Sequence, residues 1–472
     1  MICEKNENKT KPSMAKITVW YVFSSMFVNA LSFLTTPFFT RVLSKAEYGQ
    51  YSNFISWQII LEVIVTLNVS MSITRAKYEF DREMEKYISS ILIFSNIVTV
   101  FIYLVVEINH VYFIEFFSMD IFLIRFMFVS LIFNPAFVYL QIKHRIYQKY
   151  KFLIAFSIVT AVLRTVTALI LVCQWNNKVY ARILGDILPL IVFNSVLWVF
   201  ILNKGKGIYK RHIVFALCIS IPLIPHTLAG QFLGHADRIM ITKFCGSEYT
   251  AIYSLVYSIG GMASILWSAM NQAWAPWLYD NMAAGKFCEI RKNSKIYLTV
   301  FAIIIVGILL LAPEAVLLLG GKRYYSARSI MPIIIMSCVC QFIYGMYVNI
   351  EIFTKKTFQI SVGTVSAGML NIVLNMLFIP QYGYVAAAWT TLMGYFMLLI
   401  FHYYMVRRNG EYVEIYDVKY IIYVFIGLSV VSLCSILLYQ QNIIRYICVL
   451  VYVVVLGIQL VKNKDFIKTI MR

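Results

Sequence analysis

Residues 180–202 read YARILGDILPLIVFNSVLWVFIL, and the basic residues Lys204, Lys206, Lys210 and Arg211 follow closely. About 20 mostly apolar residues cross the hydrocarbon of a bilayer as a helix, so this stretch predicts a membrane span with a positively charged stop. Working outward, further runs of the same kind are centred on 17–39, 51–73, 87–108, 120–141, 152–174, 213–235, 249–270, 295–319, 328–350, 358–379, 384–406, 419–438 and 443–461. The fold class expected is an all-α integral membrane protein of about 14 transmembrane helices. Composition agrees. Of 472 residues, 61% are hydrophobic and 13% charged, where a soluble chain has about a quarter charged. A string of soluble domains is excluded, and lipid is the solvent.

The charge balance gives the spans a direction. Lys and Arg number 41 against 22 Asp and Glu, a net charge of +19, which in a soluble protein would point to nucleic acid. Here most basic residues fall in alternate loops. The opposite side holds only Arg41, Lys45, Lys178, Arg238, Lys243, Lys322, Arg323, Arg328 and Arg445. Loops rich in Lys and Arg stay cytoplasmic, so both termini are expected there and no nucleic-acid partner is needed. Segment 1–16 is expected to be a cytoplasmic N-terminal segment. The run after it is too long for a signal peptide and lacks a small-residue cleavage site.

Six crossings return a chain to its starting side, so helices 1–6 and 7–12 share one orientation. A sequence echo supports a duplication. Residues 41–52 read RVLSKAEYGQYS and residues 235–254 read HADRIMITKFCGSEYTAIYS, with Glu47-Tyr48 and Tyr51-Ser52 matching Glu248-Tyr249 and Tyr253-Ser254. The expected domains are an N-lobe at 17–203, a cytoplasmic basic linker at 204–212, a C-lobe at 213–406, and appended helices 13–14 with a cytoplasmic tail at 407–472. Repeats of this kind place a substrate site near the midplane between lobes.

Charges inside spans are the candidate functional groups, because each costs roughly 2.5–3.5 kcal/mol at a helix centre. Arg164 lies mid-span; Arg125 and Arg182 lie near the outer ends of their helices, where snorkelling is the alternative. Together they form a candidate surface for an anion. Asp186 stands four residues from Arg182, close enough for the two to satisfy one another. Glu62 is the deepest acid, suited to proton or cation coupling or to a structural hydrogen-bonded role. Asp237-Arg238 reads as a local pair, while Glu314 and Glu351 near span ends have water as their default partner. Pro135, Pro189, Pro222, Pro225, Pro276 and Pro332 interrupt the runs and permit bends.

The remaining residue types narrow the chemistry. Nine cysteines lie mostly in apolar runs, and the short spacing Cys338-x-Cys340 has no histidine near it. Neither a zinc site nor a disulfide framework is expected. Only His226 falls well inside a span, as a packing residue. No nucleophile elbow, phosphate-binding loop or metal-ligand cluster occurs, so neither an enzyme nor a resident cofactor or metal is expected, apart from possible coupling to H+ or Na+.

Five motifs, in order, resemble bacterial polysaccharide-repeat-unit flippases. They are RVLSKAEYGQYS at 41–52, Asp237-Arg238 with the segment through Ser254, MNQAWAPWLYD at 270–280, GGKRYYSARSIMP at 320–332 and NIVLNMLFIPQYGYVAAAWTT at 371–391. The family is the Wzx, O-antigen or capsule type of the MOP superfamily, which also holds the lipid II flippase MurJ and the MATE drug exporters. The resemblance implies a V-shaped two-lobe transporter with a central cationic cavity and alternating access. Its cargo would be an undecaprenyl-diphosphate-linked oligosaccharide for capsule, O-antigen or exopolysaccharide. It implies a multi-pass protein of the bacterial cytoplasmic (inner) membrane, with a glycan polymerase and other assembly proteins as partners.

By position, Arg41, Arg125, Arg164, Arg182 and Arg238 are the expected anion contacts. Asn271, Gln272, Trp274, Asn371 and Asn375 are the polar and aromatic cavity candidates, and Glu62, Asp186 and Asp237 are the acids available for ion coupling. Two other readings compete. A MATE-like cation-coupled exporter would want an acidic cavity, whereas the deep charges here are mostly arginine. A multispanning glycan polymerase or transferase would want paired external acids or a large external loop, and the loops are short.

Overall fold

A computed structural model describes residues 14–148, 150–410, 412 and 414–462. Residues 1–13 and those beyond 462, and with them most of the expected N-terminal segment and the expected tail, lie outside the described residues. The described chain is helical throughout: α1 Met14–Val42, α2 Lys45–Val65, α3 Ile73–Glu79, α4 Met84–Ile108, α5 His110–Phe117, α6 Ile121–Ile146, α7 Tyr150–Gln174, α8 Lys178–Gly205, α9 Lys210–Ser220, α10 Ile224–Cys245, α11 Ser247–Ala283, α12 Phe287–Leu310, α13 Ala312–Gly320, α14 Met331–Phe353, α15 Thr357–Tyr382, α16 Tyr384–Asn409, α17 Val418–Leu438 and α18 Asn442–Lys462. No strand occurs among the described residues.

Among the described residues, eleven helices are long and apolar enough to cross a membrane, or twelve when the bent pair α2–α3 is one span. The expectation was about fourteen. The other two runs coincide with α1 and α18. The apolar part of α18, Asn442–Ile458, falls short of span length, and α1 is described only in part.

Breaks follow from local chemistry. The α2–α3 pair bends by 56° where Leu67 and Asn68 take φ of 49° and 54°, the left-handed region that single Asn residues tolerate. Between α9 and α10 the turn Ile221–Leu223 contains Pro222, and Pro225 opens α10; neither proline offers an N–H to continue a helix. Gly246, at φ 96°, reverses the chain between α10 and α11.

Packing divides the chain into two compact units. Unit 1 holds residues up to Thr35, Glu62–Glu115 and Asp120–Pro222; unit 2 holds Thr36–Leu61, Phe116–Met119 and the residues from Leu223 onward. The core of unit 1 gathers Ile73, Tyr87, Ile88, Ile91, Tyr139, Leu140 and Ile201. Its α7 and α8 meet at glycine: a Cβ on Gly185 would collide with the backbone of Ala168. This close approach brings Asp186, the next residue, against α7.

In unit 2 the same device sets three helices together. A Cβ on Gly368 would lie 2.9 Å from Ala229 O, and one on Gly394 would lie 3.0 Å from a Leu233 methyl and 3.7 Å from the Asn371 Cβ. So α10, α15 and α16 share one tight seam.

Two of the five motifs have an architectural role in unit 2. Ser44 and Glu47 form a capping box, with Ser44 N–H donating to Glu47 Oε2 at 2.6 Å and Glu47 N–H to Ser44 Oγ at 3.2 Å. Gly49 lies against the Ser247 backbone with no room for a Cβ. From the other motif, Arg323 donates to the carbonyls of Thr40, Arg41 and Leu43, closing the C-terminal end of α1.

The last two helices are keyed onto unit 2 by polar contacts. Lys295 meets Asp417 at 2.7 Å, the Thr299 and Tyr420 hydroxyls are 2.6 Å apart, and Tyr439 OH donates to Leu309 O at 2.7 Å. Arg445, 1% exposed, is paired with Glu314 and donates to Leu310 O at 3.0 Å. Glu314 was expected to rely on water; it is held instead by Arg445 and by Tyr446 OH at 2.8 Å.

Candidate functional site

Among the described residues, two buried polar constellations centre on an aspartate in a spanning helix, one in each unit. In unit 1, Asp186 on α8 is 5% exposed and is shared by two guanidinium groups. Arg164, on α7, donates Nε to Asp186 Oδ1 and Nη2 to Oδ2, both at 3.1 Å, and Nε also to the Asp186 carbonyl. Arg182 Nη1 is 3.7 Å from Oδ1, the i,i+4 pair expected from the spacing. Beside them Thr167 Oγ1 donates to Gly185 O. Two guanidinium groups thus meet one carboxylate inside the spans, and the Arg164 side chain is 33% exposed.

In unit 2 the centre is Asp237 on α10, 1% exposed. Tyr253 OH from α11 and Thr391 Oγ1 from α16 donate to its Oδ2, and Asn375 Nδ2 from α15 donates to Oδ1 at 2.6 Å. Asn375 also donates to Asn371 Oδ1 at 3.1 Å and accepts from Thr390 Oγ1. Four helices thus converge on one carboxylate whose charge is met by three donors. Arg238 turns elsewhere: it donates to Gly234 O at 2.9 Å, lies 3.1 Å from His235 Nδ1, and sits over the Tyr257 ring at 4.4 Å. Asp237-Arg238 is therefore not a local ion pair.

The other expected residues are placed separately. In unit 2, Arg41 donates to Leu318 O and Pro37 O, at the α13 end rather than at Asp237. Asn271 accepts from Asn349 Nδ2 at 2.8 Å, and Gln272 is exposed. Trp274 is buried and stacks on Tyr297 with centroids 4.5 Å apart. In unit 1, Arg125 is paired with Glu107 in an exposed setting. Glu62 is half-buried just before the α2–α3 break, its carbonyl accepting from Thr66 Oγ1 at 2.6 Å.

Sequence reasoning missed Tyr253, Thr390 and Thr391. All three lie within the quoted motifs, and Ala387, Thr390, Thr391 and Gly394 share one helical face at spacings of three, four and seven; that small-residue stripe was the available signal. It also missed the buried pair Glu351–His402, because both residues stand near span ends where water is the ordinary partner. Among the described residues no group of three or more His, Cys, Asp and Glu is arranged to hold a metal.

The family model described as polysaccharide biosynthesis protein matches residues 14–282. The chain belongs to that family. The family is that of the Wzx-type flippases, and this chain is a multi-pass membrane protein. A curated relative, an uncharacterised membrane protein of Methanocaldococcus jannaschii, is 24% identical over 276 residues, which are 54% of this chain and 52% of the relative. The match thus spans about half the length of that relative. Among solved structures, the MATE multidrug transporter DinF-BH has 16% identity and a TM-score of 0.55, covering 87% of this chain and 99% of its own. The Vibrio cholerae MATE transporter VcmN in the bent form has 13% identity and a TM-score of 0.54, covering 84% and 97%. These likenesses show a MATE-like transporter fold.

Proposed function

We propose that this transporter moves undecaprenyl-diphosphate-linked oligosaccharide repeat units from the cytoplasmic to the periplasmic leaflet of the bacterial cytoplasmic membrane, by alternating access through a cationic central cavity. Both termini would face the cytoplasm, and a glycan polymerase would receive the product. The observation that carries this reading is the Arg164–Asp186–Arg182 set, two guanidinium groups gathered on one carboxylate inside spanning helices. A diphosphate is a concentrated anion that guanidinium groups bind through paired hydrogen bonds, whereas a cationic drug would be repelled. Arg164 and Arg182 are the leading diphosphate contacts.

Ion coupling is assigned to unit 2. The Asp237 carboxylate, the hydroxyls of Tyr253, Thr390 and Thr391, and the amide oxygens of Asn371 and Asn375 form an oxygen-rich set. Oxygen is the donor a hard cation such as Na+ takes, and H+ on Asp237 is the simpler alternative. A second reading, a MATE-like exporter of cationic molecules, is favoured by the half-buried Glu62. Deletion of the gene separates the two. Flipping predicts lipid-linked repeat units accumulating on the cytoplasmic leaflet; drug hypersensitivity with normal surface glycan, in a strain without a paralogue, would replace it with export.

A further inference from the structure

An open groove with a volume of about 460 Å³ runs along α16 in unit 2, lined by Leu370 of α15 and by Met393, Phe396, Met397, Ile400 and Tyr404 of α16. Both helices are long and apolar enough to cross a membrane. Met393, Ile400 and Tyr404 are each more than half exposed, so this apolar surface meets hydrocarbon once the helices span a bilayer. From Met393 to Tyr404 the groove follows α16 for about 16 Å, at 1.5 Å per residue. Half of the roughly 30 Å hydrocarbon core is about the same length. The groove is as long as one leaflet is deep.

Charge is confined to one end of it. Between Lys356 and Arg407 the chain has no Asp, Glu, Lys or Arg. Arg407 lies seven residues beyond Ile400 and Arg408 four beyond Tyr404, so the helical stripe that lines the groove continues into both. Both arginines are exposed. Arg407 Nη1 donates to the Tyr403 hydroxyl at 2.9 Å, which takes up one of the five donors of a guanidinium. Among the described residues neither arginine pairs with a carboxylate. The α15 helix begins at this same end: Asn409 Nδ2 donates to Gln359 Oε1 at 3.1 Å, and the exposed Lys355 and Lys356 lie in the turn just before α15.

We propose that this groove binds an anionic phospholipid of the surrounding bilayer: one acyl chain lies along Met393–Tyr404 and the phosphate meets Arg407 and Arg408, with Lys355 and Lys356 adding to the field. A guanidinium takes phosphate oxygens through paired hydrogen bonds, and a basic pocket at one membrane face favours anionic headgroups. Tyr404 stands between chain and headgroup, the depth that suits a side chain with an apolar ring and a polar hydroxyl. A zwitterionic lipid would bring its own ammonium to these four cations. None of the groove residues belongs to the Asp237 set or to the Arg164–Asp186–Arg182 set, so the site needs no assumption about the cargo.

The test is native mass spectrometry of the purified full-length protein, titrated in detergent with phosphatidylglycerol or with phosphatidylethanolamine of the same acyl chains. The first phosphatidylglycerol is expected to bind several-fold more tightly than the first phosphatidylethanolamine. Arg407→Gln combined with Arg408→Gln should weaken phosphatidylglycerol by about tenfold or more, each basic residue at an anionic headgroup being worth about fivefold. Lys204→Gln combined with Lys206→Gln removes the same charge from unit 1 and should change nothing. Leu370→Trp fills the groove without touching a charge and should weaken phosphatidylglycerol as well; if it elutes as aggregate, Ile400→Trp takes its place. Equal affinity for the two lipids, unchanged affinity in the double arginine variant, an equal loss in the Lys204 and Lys206 variant, or full retention in the filled groove would overturn the proposal. Undecaprenyl phosphate displacing phosphatidylglycerol at equal concentration would assign the groove to a polyprenyl chain and overturn it too. Because no cargo is present, a failed flippase reading would leave a positive result intact.

Discussion

Asp186 occupies one edge of the Arg164 guanidinium completely: Nε and Nη2 each reach one carboxylate oxygen at 3.1 Å, while Arg182 approaches the same carboxylate at 3.7 Å. One acid thus orients two arginines on neighbouring helices. In a flippase, that fixed pair of guanidinium groups would be the feature an anion meets.

Arg164→Ala is expected to abolish complementation of a deletion strain at normal expression, and Arg164→Lys to restore it in part. Lysine keeps the charge and loses the fork. Asp186→Asn should retain expression but release both arginines from their fixed geometry, weakening transport less than Arg164→Ala. Surface-glycan immunoblots check each variant; full activity of Arg164→Ala would remove Arg164 from the site.

Gly185→Leu should disturb the same set without touching a charge. The side chain has no room against the Ala168 backbone, and overpacking of this kind costs about 1–3 kcal/mol. A lowered thermal midpoint in detergent is the readout, with Gly427→Leu as the control, because a Cβ at Gly427 meets nothing within 4 Å.

Asp237→Asn is expected to abolish the ion coupling proposed for unit 2. The amide can still accept from Tyr253 and Thr391, so folding is expected to survive while ion-dependent stabilisation or transport is lost. A thermal-shift series in Na+ against choline, repeated across pH, distinguishes Na+ from H+. An unchanged ion response in Asp237→Asn would place coupling elsewhere.

Arg445→Met should loosen the last two helices. It removes the partner of Glu314 and the donor to Leu310 O, and leaving a buried acceptor unmet costs about 1–3 kcal/mol. Limited proteolysis is expected to cut first within residues 439–442 between α17 and α18. Unchanged stability and cleavage would show that the pair is held by lipid-facing packing instead.

A pH effect is expected at Asp417, just before α17. The Lys295 ammonium at 2.7 Å and the Tyr420 backbone N–H hold its carboxyl below the usual carboxylate range. A carboxylate depressed in the folded state contributes stability above its unfolded pKa, and that contribution is lost as pH falls through the folded value. Asp417→Asn should therefore lower the thermal midpoint slightly at neutral pH, and the difference from wild type should disappear on acidification below about pH 4.

Much of the architecture was legible because it follows from one-dimensional patterns. Apolar runs marked the helices, and five motifs marked the family. The grouping of Arg164, Arg182 and Asp186 was half visible: the i,i+4 spacing gave Arg182–Asp186, while Arg164 joins only because Gly185 lets α7 approach α8. The Asp237 cluster was less visible, since most of its members come from helices more than a hundred residues away in the chain and three of them are plain hydroxyls. Glu351 shows the limit most clearly. Position near a span end predicted hydration, but α16 supplies His402 and excludes water. The break at Leu67 and Asn68 had no glycine or proline to announce it.

Flipping means that a polyprenyl-diphosphate-linked oligosaccharide crosses the bilayer through this transporter. The decisive measurement is the leaflet distribution of such a lipid in proteoliposomes, read as the fraction of its sugars open to an externally added lectin or glycosidase. Protein-dependent exposure of lipid loaded in the inner leaflet is expected, lost in Arg164→Ala and retained in part in Arg164→Lys. Equal exposure in protein-free vesicles, or undiminished exposure with Arg164→Ala, would contradict it.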